Sequence, residues 1–310
     1  MKIEILPPLG INELGSRQNQ EDCLFPAIES EMPDYKSDIT ERTHERLFMV
    51  CDGMGGHDHG EVASQLVCDV LPEYLYKHWT PGDVLTDDVL REALDETFRR
   101  INALDDGSLR KMGTTLTLLC LHRGGVTMAH LGDSRIYHLR PCDRRLLYKS
   151  RDHSLVYDLF MAGEITRDEM NSYPRKNVIT RAIMPGMERQ PKMDVAHTTD
   201  IQPGDYFFLC SDGILERMSD AELLALLAAS KDNEAKRQQL IEVTRDNADN
   251  HSAWLIQIAD VESEADDDRQ PSNEATARCN ALLLERQTAA AEKPQSLWQR
   301  MKKWAGRLAG

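Results

Sequence analysis

Asp52 stands where an acid is costly. The run Leu47-Phe48-Met49-Val50-Cys51 is short and apolar, the pattern of a buried β-strand, and it stops at Asp52-Gly53-Met54-Gly55-Gly56. A carboxylate at the end of a buried strand is hard to ionise unless something offsets its lost hydration. A divalent cation would do so, and Asp is a hard oxygen ligand of the kind Mg²⁺ and Mn²⁺ take. Gly53, Gly55 and Gly56 let the backbone turn tightly and approach a ligand, so a glycine carbonyl beside Asp52 could join the coordination. From Gly60 the spacing becomes helical, with Val62, Ala63, Leu66, Val67 and Val70 on one stripe. By itself the stretch is equally an ordinary Asp-Gly turn between a strand and a helix.

The same local grammar recurs. Asp212 follows the apolar run Tyr206 to Cys210 and Ser211, and precedes Gly213. Asp249 and Asn250 precede a last apolar strand, Ala253 to Ile258, and Asp22 borders the strand Asp22-Cys23-Leu24-Phe25. Gly132-Asp133-Ser134-Arg135 interrupts two apolar strands, where Asp133 could simply cap a turn. Strand ends from distant parts of a chain can converge in one sandwich. Converged carboxylates repel, so cations must keep them ionised. A carboxylate shared between two metals builds a hydrolytic site, because the metals lower the pKa of a bound water and so supply the nucleophile.

The elements that must position these acids are legible in outline. A first strand, a polar loop holding Gly15 to Glu21 and a second strand open the chain, and residues 27–45 read as a polar surface loop. Helices are expected over 60–79, 87–104, 219–229 and 233–247. Met112 to Leu121 reads as a strand, Gly124-Gly125 as a turn, and Val126 to Leu131 as its hairpin partner. Further strands are expected at Ile136 to Leu139, Arg145 to Lys149 and Tyr206 to Cys210, with a mixed stretch of short helical segments between Asp152 and Met184. Strands bunch into hairpins and helices come in pairs. That predicts an α+β sandwich of largely antiparallel sheets and not an alternating βαβ fold.

Composition narrows the class. The chain has 310 residues, 41% hydrophobic and 29% charged, enough for a substantial core. A formal net charge of -15 disfavours a nucleic-acid binder, which needs a basic footprint. Seven Cys with no CxxC pattern fit reduced thiols in a cytosolic compartment. The N-terminus lacks a signal-peptide core, and no run is long enough to span a bilayer, so a cytoplasmic location is expected. Beyond Asp260 the sequence turns acidic, polar and Ala-rich, which reads as a linker over 261–295. Residues 296–310 change sign: Leu297, Met301, Trp304 and Leu308 share one helical face, while Arg300, Lys302, Lys303 and Arg307 lie toward the other sides. Such a basic amphipathic tail binds a membrane surface or a partner protein, packs back on its own domain, or stays unfolded.

Eight short motifs follow one another over about residues 10–260: Arg17 to Asp22, Asp52-Gly53-Met54-Gly55-Gly56, Gly113-Thr114-Thr115, Gly132-Asp133-Ser134-Arg135, Asp152-His153-Ser154, Asn177 to Arg181, Ser211-Asp212-Gly213 and Asp249-Asn250. Taken in that order, they resemble the PP2C-type (PPM) metal-dependent protein Ser/Thr phosphatases of bacteria. The resemblance implies an α-β-β-α layered sandwich, two antiparallel sheets flanked by helices, with two or three Mn²⁺ or Mg²⁺ ions at one end. Asp52 would bridge two ions, with the Gly53 carbonyl on the second. Asp212 and Asp249 would bind the first, Asp22, with or without Glu21, would hold the second through water, and Asp133 would help bind a weaker third. Arg17 would clamp the substrate phosphate. The segment between Ser154 and Asn177 would be a variable flap.

The implied activity is hydrolysis of phosphoserine and phosphothreonine in proteins, opposing a Ser/Thr kinase system. The alternatives are an inactive phosphoprotein-binding regulator of the same fold and a hydrolase of small phosphate esters. Animal members have His after the Asp-Gly; Met54 stands here, so no general acid is assigned. His57 and His59, which flank Asp58, are read as solvent-facing, with transition-metal ligation as the alternative. His153 is read as loop structure, and Gly113-Thr114-Thr115 as packing under the site.

Overall fold

The computed structural model describes residues 1–28, 46–55, 59–80, 83–105, 112–229 and 231–262. The expected linker beyond 262, the basic tail, His57 and most of the 27–45 loop lie outside the described residues.

Two antiparallel sheets carry the fold. The first contains β1 (Lys2–Ile5), β2 (Leu9–Glu13), β8 (Arg135–Arg140), β9 (Arg145–Lys149), β11 (Tyr206–Cys210) and β12 (His251–Glu262). Its order is β1-β12-β11-β8-β9, with β2 also on β12. The second contains β3 (Asp22–Phe25), β4 (Leu47–Met54), β5 (Gly113–Thr114), β6 (Leu116–His122), β7 (Gly125–Leu131) and β10 (Asp194–Thr198). Its order is β10-β7-β6-β4-β3, with β5 on β4. Helices α1 (Gly60–His78) and α2 (Asp87–Asn102) cover the second sheet, and α5 (Asp220–Leu227) and α6 (Asn233–Thr244) cover the first. The segment Leu155–Val178 forms a separate unit with two short helices, α3 (Leu155–Met161) and α4 (Arg167–Ser172). The latter is closed by a capping box between Thr166 and Glu169.

Strand alternation builds three apolar layers. In β4, Leu47, Met49 and Cys51 face the helices with Leu71, Leu75 and Phe98. Phe48 and Val50 face the other way, packing with Leu119, Phe207, Leu209 and Trp254 between the sheets. In β11, Phe207 and Leu209 face inward, while Tyr206, Phe208 and Cys210 pack on Leu223, Leu227 and Leu240. Burying such side chains contributes about 1.5–3 kcal/mol each. Continuing the same parity, Asp22, Asp52 and Ser211 fall on the faces that look between the sheets, just where the apolar run ends. The site is therefore assembled by alternation: the first polar residue past each buried run is delivered to the same end of the sandwich.

Three features depart from the expectation. The one strand read ahead of the Gly15 to Glu21 loop is two, β1 and β2, both paired with β12. The strand read over 112–121 is two strands, broken at Thr115, which is turned aside to bond Asp52. Strand β10, at a sheet edge, was not anticipated; Asp-Val-Ala-His-Thr carries no apolar run, and an edge strand needs none.

Candidate active site

Asp22 and Asp52 are directly paired across β3 and β4. Asp22 is buried and accepts from Ser211 Oγ at 2.7 Å, which joins β3 of one sheet to the end of β11 in the other. Burial first, then the charges of Asp212 and Asp249, push Asp22 up to about 7 against the hydrogen bonds from Ser211 and Ser252. Asp52 is fixed through its backbone: its N–H donates to Thr115 Oγ1 at 2.9 Å, and its carbonyl accepts from Thr115 N at 2.9 Å and Thr114 Oγ1 at 3.0 Å. Desolvation, then the charges of Asp22, Asp212, Asp133 and Asp249, raise it well above the carboxylate range.

Gly53 cannot be another residue. A Cβ there would lie 2.3 Å from the Gly60 carbonyl oxygen and 2.5 Å from that of Glu21. The Gly53 N–H donates to Glu21 O at 3.1 Å, so the strand-to-helix turn and the Glu21-Asp22 segment are locked together.

Asp133 lies on the crossing from β7 to β8, that is, from one sheet to the other. It is pushed up to about 7 by burial and then by Asp212 and Asp152, and its Oδ1 is buried without a hydrogen-bond partner among the described residues. Asp212 begins the turn after β11 and stays open to solvent on one side. Crowding by protein, then Asp249, raises it, and it lies within hydrogen-bonding reach of Asp52. Asp249 accepts a 2.7 Å charge-assisted hydrogen bond from Arg17 Nη2.

All the candidate ligands therefore converge, with Arg17 beside them. Asp22, Asp52, Asp133, Asp212 and Asp249 far outnumber that guanidinium, which is itself 51% exposed. An all-oxygen donor set with an orphaned buried carboxylate oxygen fits hard divalent ions and no soft metal. His59 is exposed and belongs to no metal-like cluster among the described residues.

Three residues quoted within the motifs prove to position the acids, a role the sequence reading did not assign to Asn250 or Ser211 and gave to Thr115 only as packing under the site. Asn250 accepts from Glu21 N at 2.9 Å and donates to Leu14 O at 2.9 Å and Asn19 O at 3.1 Å, so one side chain ties down the whole Arg17 loop. Thr115 bridges Asp52 N to Ser134 Oγ, the latter at 2.7 Å. Ser211 bridges Asp22 to Ser252 N. Each stands next to a candidate acid or inside a recurrent motif, which is the one sequence signal that could have found them.

Acids gathered at the end of an α-β-β-α sandwich, with an arginine at the rim, make the site of a metal-dependent phosphoester hydrolase. Comparison with known proteins narrows this. Residues 33–258 match the family described as protein phosphatase 2C. Protein phosphatase PhpP of Streptococcus pneumoniae is 30% identical over 238 residues, covering 74% of this chain and 93% of PhpP. The crystal structure of the Mycobacterium tuberculosis serine/threonine phosphatase PstP/Ppp aligns with TM-score 0.67 at 29% identity, covering 83% of this chain and 100% of that one. The catalytic domain of PstP in complex with 2 manganese ions aligns with TM-score 0.62 at 29% identity, covering 83% and 99%. The chain belongs to the protein phosphatase 2C family and is a metal-dependent protein serine/threonine phosphatase.

Proposed function

We propose that the chain removes phosphate from phosphoserine and phosphothreonine in proteins at a site of two Mn²⁺ or Mg²⁺ ions, with a weaker third, held by the residues just described. The observation that carries this is the convergence of Asp22, Asp52, Asp133, Asp212 and Asp249. Asp52 would serve the first two ions, with Asp212 and Asp249 toward the first, the Gly53 carbonyl and Asp22, with or without Glu21, toward the second, and Asp133 toward the third. Ions held there would lower the pKa of a bound water and so supply the nucleophile.

The protein's own residues do the rest. Thr115, Ser211 and Asn250 hold the acids at fixed positions, which limits reorganisation when charge develops. Arg17 is half-exposed and charged, and binds the phosphate by charge-assisted hydrogen bonds. Its 2.7 Å bond to Asp249 Oδ2 holds the guanidinium beside the acids, where a phosphate would bind. Met54 offers no proton to the leaving group, so no side chain is assigned that step.

Phosphoprotein substrates imply an opposing Ser/Thr kinase system and a cytoplasmic site of action. The cysteines among the described residues are free, and no helix among those residues is long and apolar enough to cross a membrane. The domain plan is a catalytic domain over 1–260, a linker over 261–295, and a tail over 296–310 that addresses a membrane surface or a partner protein.

The deciding experiment compares turnover of a phosphopeptide and of a small aryl phosphate, before and after chelation and Mn²⁺ repletion. Mn²⁺-dependent turnover with higher kcat/KM on the phosphopeptide is expected. Preference for the aryl phosphate would indicate a small-ester hydrolase, binding without turnover an inactive regulator, and full turnover after exhaustive chelation would refute the metal assignment.

A further inference from the structure

The segment Asp152-His153-Ser154 takes no part in the chemistry above, yet it grips the loop that carries Asp133. His153 N donates to Gly132 O at 2.9 Å, and Gly132 N donates back to His153 Nδ1 at 3.1 Å. The ring is 2% exposed and stacks on His130, centroids 4.6 Å apart and planes 5° from parallel. His130 is kept neutral by burial, at about 4, and its Nε2 bonds the Arg151 carbonyl at 2.7 Å. With Nδ1 accepting from a backbone amide, the His153 proton sits on Nε2, 3.2 Å from Asp194 Oδ2. Arg181 Nη1 completes the line, 3.0 Å from Asp194 Oδ1.

His130, His153 and Asp194 place three potential ligand atoms within 4.8 Å of one another, which suggests a metal ion. The hydrogen bonds argue otherwise. A metal on His153 Nε2 would drive the proton to Nδ1, against the Gly132 N–H donor. Arg181 Nη1 also stands 3.3 Å from Nε2; a guanidinium only donates, so with the ring proton on Nε2 its hydrogen bond goes to Asp194 Oδ1, and its positive charge beside Nε2 opposes a cation there. The cluster is instead a directed line running from Asp194 through the imidazole to the Gly132 amide.

That line ends one residue before Asp133. Gly132 has φ +106, and a Cβ there would lie 2.5 Å from Thr115 Cγ2, so the loop turns hard against the residue that also holds Asp52. On the far side, Arg135 Nε and Nη2 each bond Asp152 at 2.6 Å, and Ser150 bonds Ile136 through both backbone and hydroxyl. Residues 150–153 thus clamp the loop on both flanks of Asp133. Its Oδ1 has no hydrogen bond among the described residues and the carboxylate bonds its own backbone N–H, so it is held by the very backbone these clamps fix.

We propose that His153 is a positioning residue for Asp133: through the Gly132 amide it fixes where that carboxylate points, and so sets the affinity of the weakest metal site. This rests on the reading of Asp133 as a metal ligand.

The test is Mn²⁺ binding to the full chain, followed by the electron paramagnetic resonance signal of free Mn²⁺, in His153→Gln, His153→Asn and Asp133→Asn. Gln places no acceptor at the Nδ1 position, whereas Asn Oδ1 does. His153→Gln is expected to weaken the weakest site by about 10- to 100-fold, the usual cost of losing an outer-shell partner. His153→Asn should recover most of that affinity, with the tighter sites unchanged in both. If Asp133→Asn loses the weak site while His153→Gln keeps it, the positioning role is overturned and Asp133 remains a ligand. If Asp133→Asn binds Mn²⁺ as the parent does, both readings fall. Equal weakening of every site in both His153 variants would mark general damage and also overturn the proposal. Should neither His153 variant fold, Asp194→Ala removes the Nε2–H acceptor from the 43%-exposed end of the line; a weakened third site is expected there, and unchanged binding overturns the proposal.

Discussion

Asp22 should destabilise the metal-free protein, and replacing it with Asn should stabilise that form. The buried carboxyl is raised from its ordinary value of 3.8 to about 7. Its affinity for protons is thus higher in the folded chain than in the unfolded one. Between those two values the unfolded chain ionises first, so folding stability falls as pH rises, then levels off above the folded value. The full difference is about 4 kcal/mol, an upper limit because Asp22, Asp52 and Asp212 share their charges and their contributions do not add. His122 and His130, both lowered to about 4 by burial, act oppositely: stability from them grows as pH rises from about 4 toward the unfolded value of 6.5. The informative quantity is therefore the difference between Asp22→Asn and parent. Asn can still accept from Ser211 Oγ, so geometry is preserved. Urea unfolding in chelator should give a gap favouring Asp22→Asn that widens from pH 4 to 7 and is flat by pH 8. Saturating Mn²⁺ should narrow the gap, since an ion at a hundredfold its Kd adds about 2.7 kcal/mol to a chain that binds it and less to one that has lost a ligand. A metal-free Asp22→Asn less stable than the parent at pH 8 would refute the reasoning.

Asp52→Asn and Asp212→Asn should lose nearly all turnover while circular dichroism stays native, because a ligand charge goes and the side-chain size remains; near-normal rates in either would reject its assignment. Arg17→Ala should mainly raise KM, with a smaller loss of kcat; a charge-assisted contact worth about 1.5–3 kcal/mol corresponds to roughly one to two orders of magnitude in kcat/KM. An unchanged KM would remove Arg17 from the ground-state phosphate. Deleting residues 296–310 should leave turnover of a soluble phosphopeptide unchanged and abolish binding to anionic vesicles or a partner. Faster turnover, matched by salt activation of the intact chain, would point to autoinhibition, and an inactive truncation would place the tail in the core.

The sequence by itself determined which residues could do the chemistry and roughly where their elements lie. Leu47 to Cys51 and Tyr206 to Cys210 announce buried strands because a strand packed on both faces is apolar at every position. The polar residue that ends each run marks the sandwich's edge. Helix α1 was legible from its 3.6-residue spacing, and both α1 and α2 begin where they were expected to; that Thr86 caps α2, accepting from Val89 N, is seen only in the structure.

What only the tertiary structure decided is everything fixed across long sequence separation. Arg17 meets Asp249 at 232 positions' remove, and Ser211 meets Asp22 at 189. No local pattern encodes such pairs, because they follow from which sheet each strand joins and in what register. The edge strand β10 was hidden for a related reason: half its surface faces solvent, so alternation and apolarity both fade. His153 is the clearest instance. In the sequence it is a polar loop residue beside an Asp; only the approach of Gly132 on one side and Asp194 on the other turns its ring into a directed link. A hydrogen-bond line has a meaning only when both its ends are placed, and that placement is made by the packing of the two sheets.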